Sequence, residues 1–106
     1  MKGMGNLGKL MKQAQEMQSK MAKVQEELAE HEVDASSGGG MVTVRMNGRQ
    51  DLLSVKINPE AVDPEDVEML EDLLMAAFNE ARRKAEEMAQ AEMAKVTGGM
   101  GVPGMF

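Results

Sequence analysis

The chain has 106 residues, a net charge of −6 and no cysteine, so disulfide bonds and thiolate metal sites are excluded. A monomer of this size buries only about 60–68% of its unfolded surface. With 13 methionines and two aromatic residues to fill a core, an oligomer with a shared core is favoured. The acidic total argues against non-specific polyanion binding, although local patches steer ligands more strongly than the total does.

A first helix is predicted from Leu7 to about Glu30, after a glycine-rich segment over residues 1–6 that we expect to be flexible. Its apolar residues recur alternately three and four positions apart, which forms a narrow seam that pairs with another helix. The members of this seam are Leu7, Leu10, Ala14, Met17, Met21, Val24 and Leu28. The lysines that lie off the seam are Lys9, Lys12, Lys20 and Lys23.

After this helix the apolar period becomes that of a β-strand. Residues 33–37 alternate weakly, and the three glycines at 38–40 permit a tight reversal. Residues 41–46 alternate clearly, an Asn-Gly pair at 47–48 indicates a hairpin, and residues 53–57 alternate again. The pattern predicts a meander of three antiparallel strands with one apolar face.

A second helix is predicted from Pro64 to about Val96, because Asp63 is a good cap and proline suits the first helical position. Its apolar face is strong as far as Ala81 and then weakens, so the second half either projects into solvent or packs in an oligomer. Residues 98–106 form a tail rich in glycine and methionine that we expect to be flexible.

These elements predict one α+β domain over residues 7–97, in the order helix, three-stranded antiparallel sheet, helix. At about 45 Å, a helix of 30 residues is longer than a small domain, so the helix ends should extend past the sheet. The core is expected to contain Val42, Val44, Leu53, Val55 and Ile57, packed against Leu70, Leu74 and Phe78.

No catalytic, metal or cofactor site is predicted. His31 has acidic neighbours that suggest a metal or acid–base cluster, but a solvated histidine at a helix end is favoured. The glycines at 38–40 join two strands, whereas phosphate loops precede a helix, so a turn is favoured. The acids that open the second helix are stabilised by its dipole, and a solvated face is favoured over a site for a divalent metal or a basic partner. An enzyme is therefore not expected.

Positive charge lies at the two outer parts of the chain. Residues 1–25 hold five lysines and one glutamate and residues 81–106 carry a net charge of +1, whereas residues 57–80 hold eight acids and no base. A second basic group, in the second helix, consists of Arg82, Arg83 and Lys84. Both groups suit phosphate oxygens. Without tryptophan or tyrosine for base stacking, contact with a duplex backbone is the compatible mode. Composition alone still favours a plain dimeric interaction module over DNA binding.

Three segments in order resemble the YbaB/EbfC family of bacterial nucleoid-associated proteins: LGKLMKQAQ at 7–15, SGGGMVTV at 37–44 and MLEDLLMAAFN at 69–79. The resemblance runs from about Leu7 to Gly99. Asn58 departs from the aspartate that the family usually has before its proline, although both residue types cap helices. The resemblance implies a tweezer-like homodimer with helices projecting from a shared sheet core. It also implies DNA binding through those helices, with roles in nucleoid organisation and gene regulation.

We therefore predict a non-catalytic homodimer that binds duplex DNA through basic helix surfaces. No signal-peptide run or membrane span is recognisable, so the cytoplasm and nucleoid are the expected location, with no membrane or small-molecule partner. The resemblance supplies no contact motif, so the predicted DNA-binding residues rest on charge and position; they are Lys9, Lys12, Lys20, Lys23, Arg82, Arg83 and Lys84. The alternative is a dimeric protein-interaction module that uses the methionine-rich seam.

Overall fold

The computed structural model describes the backbone of residues 2–99 and the side chains of residues 6–96. In chain order the elements are α1 (Lys2–Glu30), β1 (Glu32–Ser37), β2 (Val42–Asn47), β3 (Leu52–Ile57), a 3₁₀ turn (Pro59–Ala61) and α2 (Val67–Gly99). The predicted α+β order is therefore confirmed. Residues 98–99 of the predicted flexible tail are the last residues of α2, and residues 100–106 lie outside the described residues.

Helix α1 begins at Lys2, five residues before the predicted start at Leu7. Once a helix is nucleated, each added residue gains a hydrogen bond, and a glycine in it costs only about 1 kcal/mol relative to alanine. The glycines near this end therefore do not stop the helix. At 29 residues, α1 is about 43 Å long.

Helix α2 begins at Val67, so the predicted start at Pro64 was wrong. The Asp66 N–H donates to the Asp63 carbonyl oxygen at 2.9 Å, which closes a turn before the helix. Asp66 then caps α2, because its Oδ1 accepts a hydrogen bond from the Met69 N–H at 3.2 Å. Asn58 caps the short 3₁₀ turn in the same way, and its Oδ1 accepts from the Glu60 N–H at 2.9 Å.

The three strands form an antiparallel meander in the order β1-β2-β3, as predicted. Ala35 is opposite Val44, and Val44 is opposite Val55, so these side chains share one face. Gly38 has φ +59°, and a Cβ there would lie 2.7 Å from Leu73 Cδ2. Glycine is therefore favoured at position 38 for two reasons: the backbone has a positive φ, and Leu73 leaves no room for a Cβ.

The first core lies between β1, β2 and the middle of α2. Its strand residues are Ala35, Val42, Val44 and Met46, and its helix residues are Ala77, Ala81 and Ala85. Leu70 and Leu74 pack against this core, which agrees with the prediction. The small alanine side chains let α2 approach the sheet closely, and that close approach buries Val42 and Val44 almost completely.

Four of the predicted core residues are exposed in the single chain: Leu53, Val55, Ile57 and Phe78 are 38–46% accessible. The prediction that they form the core with α2 is therefore wrong within one subunit. The physical reason is that α2 lies over β1 and β2, which leaves β3 as an uncovered edge strand. An alternating pattern shows that a strand has an apolar face, but it does not show what covers that face.

A second core joins the two helices away from the sheet. Val24 and Leu28 of α1 and Val96 of α2 are buried, with Met17 and Met88 packed around them. The weakly apolar half of α2 is therefore covered by α1 of the same chain. The contact uses only the second half of the α1 seam, because every side chain from Asn6 to Glu16 is exposed.

The chain is elongated. Its extents are 77 × 25 × 16 Å and its radius of gyration is 20.7 Å, against roughly 13 Å for a compact domain of this length. The predicted extension of the helices past the sheet is confirmed, and the first half of α1 forms the projecting end.

Candidate nucleic-acid interface

The four lysines of α1 lie on one face of the helix. At 100° per residue, Lys9, Lys12, Lys20 and Lys23 fall within an arc of about 80°, and they extend about 21 Å along the axis. The centre of this arc is roughly 130° from the centre of the apolar seam. We call the surface formed by these four lysines the basic face. Its amino-terminal part belongs to the projecting end of the molecule.

The basic face is accessible and uncommitted. All four lysines are exposed, and in the described part of the chain none of them forms an ion pair. Glu16 lies within the same arc, so the face carries four positive charges and one negative charge. Unpaired ammonium groups on a projecting helix can bind phosphate oxygens without first breaking an internal contact.

The basic residues of α2 are in a different electrostatic state, because acids of the same helix neutralise them. Arg82 pairs with Glu86 at 3.4 Å. Arg83 pairs with both Glu80 and Glu87. The hydrogen bond with Glu80 raises the pKa of Arg83, and the same bond lowers the pKa of the Glu80 carboxyl.

Lys84 is also occupied, since its Nζ donates a hydrogen bond to the Asp34 carbonyl oxygen of β1 at 2.8 Å. It therefore links α2 to the sheet. The seven predicted residues thus separate into two groups: the basic face of α1 is free, whereas the α2 group is held by internal partners. Neither group has been tested as a DNA contact, and their assignment stays a prediction.

Three further cations, on and beside the sheet, were not predicted as binding residues from the sequence. Arg45 is bonded to Asp34, with Nε 2.8 Å from Oδ1, and this bond lowers the pKa of the Asp34 carboxyl and raises that of Arg45. Arg49 and Lys56 are exposed, and among the described residues they form no ion pair. Each is an isolated charge in a strand or turn, so no clustering signal pointed to it.

An open apolar hollow of about 310 Å³ lies between β3 and α2. It is lined by Val44, Leu52, Val55, Leu74, Met75, Phe78 and Asn79. The exposed side chains of β3 therefore continue directly onto α2. A contiguous apolar surface of this kind marks an interaction site rather than a solvated strand.

The remaining features identify no other site. His31 follows α1 directly and is exposed, and its backbone N–H donates to the Glu27 backbone carbonyl oxygen at 3.1 Å. Among residues 6–96, no group of three or more histidine or acidic side chains is placed to hold a metal ion. No helix in the described part of the chain is long and apolar enough to cross a membrane.

This arrangement defines an elongated α+β protein that carries an unpaired basic face on a projecting helix, as a polyanion-binding protein would. The chain belongs to the YbaB/EbfC DNA-binding family, whose match covers residues 4–100. Members of this family are non-catalytic, in agreement with the prediction that the chain is not an enzyme.

Curated relatives and a solved structure support this placement. A nucleoid-associated protein of Alkaliphilus metalliredigens is 58% identical over 106 residues, covering 100% of this chain and 93% of its own length. A nucleoid-associated protein of Moorella thermoacetica is 59% identical over 102 residues, covering 96% and 98%. The crystal structure of the uncharacterized protein HP0035 from Helicobacter pylori is 26% identical with a TM-score of 0.76, covering 83% of this chain and 92% of its own.

Proposed function

We propose that this protein is a nucleoid-associated protein that binds duplex DNA without catalysis, through the basic face of α1. The observation that carries the proposal is the set of four exposed, unpaired lysines on one side of a projecting helix. Each lysine that reaches a phosphate releases condensed counterions, which supplies affinity without sequence information. The names of the curated relatives support a nucleoid location in the cytoplasm. A role in nucleoid organisation and gene regulation is part of the proposal.

Duplex DNA is the favoured form for two reasons. The chain contains no tryptophan or tyrosine, so it lacks the usual platforms on which single-stranded bases stack. A straight helix with lysines over about 21 Å also matches a regularly charged rod, since duplex DNA carries one charge per about 1.7 Å of axis.

Arg82, Arg83 and Lys84 remain proposed contacts of secondary weight. Each would have to exchange an internal partner for a phosphate, so only the difference between the two interactions would contribute to affinity. We therefore assign the larger part of the DNA contact to the basic face.

We also propose that the functional unit is a homodimer joined at β3. The apolar residues of this edge strand are 38–49% exposed: Leu52, Leu53, Val55 and Ile57. Two of them, Leu52 and Val55, line the apolar hollow beside α2. A second copy would cover both the unpaired strand edge and this apolar surface. The arrangement implied by the family resemblance, two projecting arms on a shared core, would place one basic face on each arm.

DNA binding is tested by titrating a fluorescent duplex with the full chain at several salt concentrations, with a single strand of the same length as competitor. We expect binding that weakens steeply with salt and that the single strand displaces poorly. A folded protein that fails to bind the duplex at low salt would overturn the proposal. The interaction module that uses the exposed α1 seam would then be favoured, and its partner binding would survive high salt.

The dimer is tested with Val55→Asp, which places a charge on the exposed apolar face of β3. We expect light scattering to give half the mass of the unaltered protein. The matched control is Ser54→Asp, the adjacent residue, which lies opposite Arg45 on the other face of the sheet and should leave the mass unchanged. Equal masses for all three proteins would refute an interface at β3.

A further inference from the structure

The first half of the α1 seam has no partner among the described residues. Leu7 and Leu10 are 58% and 61% exposed, whereas Val24 and Leu28 of the same seam are buried against α2. The seam is therefore used over half of its length and left open over the other half. We call the open part, residues 6–16, the free seam; Met17, the next seam residue, is partly buried against the second core.

The charges beside the free seam fit a second copy of the same segment. In the helical repeat, the positions that flank the apolar residues are Asn6, Met11, Gln13 and Gln18, and none is charged. Two copies can therefore approach without like-charge repulsion at their contact edges. Lys9, Lys12 and Lys23 point away, at about 110–170° from the centre of the seam. Lys20 is about 90° from that centre and holds the next flanking position, where it would lie beside the uncharged Asn6 of the second copy. An acidic or basic partner would gain nothing from these neutral edges.

The sizes of the seam residues favour an antiparallel arrangement. With residue pairs whose numbers sum to 24, Leu10 faces Ala14 of the second copy, which pairs a large side chain with a small one. Leu7 then faces Met17 of the second copy. In a parallel pair, Ala14 would face Ala14 and leave a gap between the backbones. The antiparallel overlap from Leu7 to Met17 gives four apolar layers over about 15 Å. The two inner layers lie entirely within the free seam, and the two outer layers use the part of Met17 that α2 leaves exposed.

We infer that the free seam of α1 is a second self-association surface, which pairs antiparallel with the free seam of another copy. It is distinct from the β3 surface, so one chain carries two different contacts with copies of itself. Such a chain can link dimers arm to arm. Because α1 is already folded, the pairing does not carry the nucleation cost of an isolated helix. The basic face stays exposed when the free seams pair.

Because the chain has no native cysteine, a single introduced cysteine can form a disulfide only with the same position of another copy. In the antiparallel register, the flanking Gln13 of one copy lies beside Gln13 of the other. Under mild oxidation the full chain with Gln13→Cys should form about tenfold more disulfide-linked two-chain product than the control Gln15→Cys. Gln15 is an exposed glutamine two positions away, on the side of α1 away from the seam. No DNA is present, so the result is independent of the proposed DNA binding.

Two further variants fix the interpretation. Leu10→Gln added to Gln13→Cys should reduce the linked product to the level of the Gln15→Cys control. Circular dichroism should remain unchanged, because Leu10 is 61% exposed in the single chain. Leu7→Cys should link poorly, since Leu7 faces Met17 in the antiparallel pair and Leu7 in a parallel one.

Equal linking by Gln13→Cys and Gln15→Cys, or none by either, would overturn the inference. The free seam would then be available to another segment of this chain or to a different protein. Strong linking by Leu7→Cys with little by Gln13→Cys would also overturn it, because the contact would then be parallel.

Discussion

Replacing Lys9 and Lys12 by glutamine should flatten the salt dependence of DNA binding. Both side chains are exposed, and in the described structure neither forms an ion pair, so the change removes two positive charges without breaking an internal contact. Each phosphate contact contributes about 0.9 to the slope of log K against log salt, so the slope should fall by about 1.8 per bound subunit. Between 50 and 200 mM salt, the unaltered protein should lose about 12-fold more affinity than the variant.

The assay is fluorescence anisotropy on one labelled duplex over that salt range. The matched control is Lys56→Gln with Lys95→Gln, which changes the net charge equally and leaves the basic face intact. Thermal unfolding should change by less than about 0.5 kcal/mol in both variants, because the altered side chains are on the surface. An unchanged slope for the Lys9 and Lys12 variant would refute the basic face as the contact. Equal losses in variant and control would assign the effect to net charge rather than location.

Three further results are expected. Arg83→Gln should lower the salt slope less than Lys9→Gln does, since Arg83 is held by two glutamates of its own helix; an equal loss would show that these pairs open on DNA. Gly48→Ala should destabilise by about 1–3 kcal/mol in thermal unfolding, because its Cβ would lie 2.7 Å from a side chain of α1, whereas Gly8→Ala meets nothing within 4 Å and should stabilise α1. Asp34→Asn should be less stable than the unaltered protein at neutral pH, because Arg45 lowers the pKa of Asp34 on folding. That difference should disappear as the pH falls below the lowered pKa, and a difference independent of pH would contradict this assignment.

The element order could be predicted because each local signal agreed with the fold. The change from a helical to a strand period, the glycine turn and the Asn-Gly hairpin all lie where the structure has them. The start of α2 could not be fixed in this way, since Asp63 and Asp66 are both good caps. The Asp63 side chain instead accepts a hydrogen bond from the Glu65 N–H at 2.9 Å within the turn, which leaves Asp66 to begin the helix.

Whether the apolar face of β3 is covered depends on tertiary packing rather than on the local sequence pattern. Val44 and Val55 lie opposite each other on one face of the sheet and are equally apolar in sequence, but only Val44 is covered by α2. The stripe of small residues at Ala77, Ala81 and Ala85 determines where α2 approaches the sheet. A pattern based on hydrophobicity treats these alanines as weak core residues, although they set the direction of the helix.

Part of the difference between the two basic groups could have been predicted from the sequence. Arg83 has acids three residues before it and four residues after it, the spacings at which helical side chains form ion pairs. Lys9 and Lys12 have no acid at three or four positions before them. Lys9 also has none after it, and only Glu16 follows Lys12 at such a distance. Lys20 and Lys23, however, also have acids at these spacings, Glu16 before the first and two glutamates after the second, and neither forms an ion pair among the described residues. Counting acids therefore marks Lys9 and Lys12 as free cations, but it does not separate the whole basic face from the α2 group.

The acidic total of the chain is compatible with DNA binding because charge is separated along the molecule. The acidic stretch, residues 57–80, includes the 3₁₀ turn and the start of α2, beside the sheet. The far half of α2 packs against α1, and the free seam and the amino-terminal part of the basic face extend beyond that contact. A duplex would therefore be attracted to the projecting end and repelled from the sheet end, over a molecule 77 Å long. Because a Debye length is about 8 Å at physiological salt, the two ends act as separate surfaces, and the DNA contact proposed for the lysines of α1 is compatible with the negative net charge.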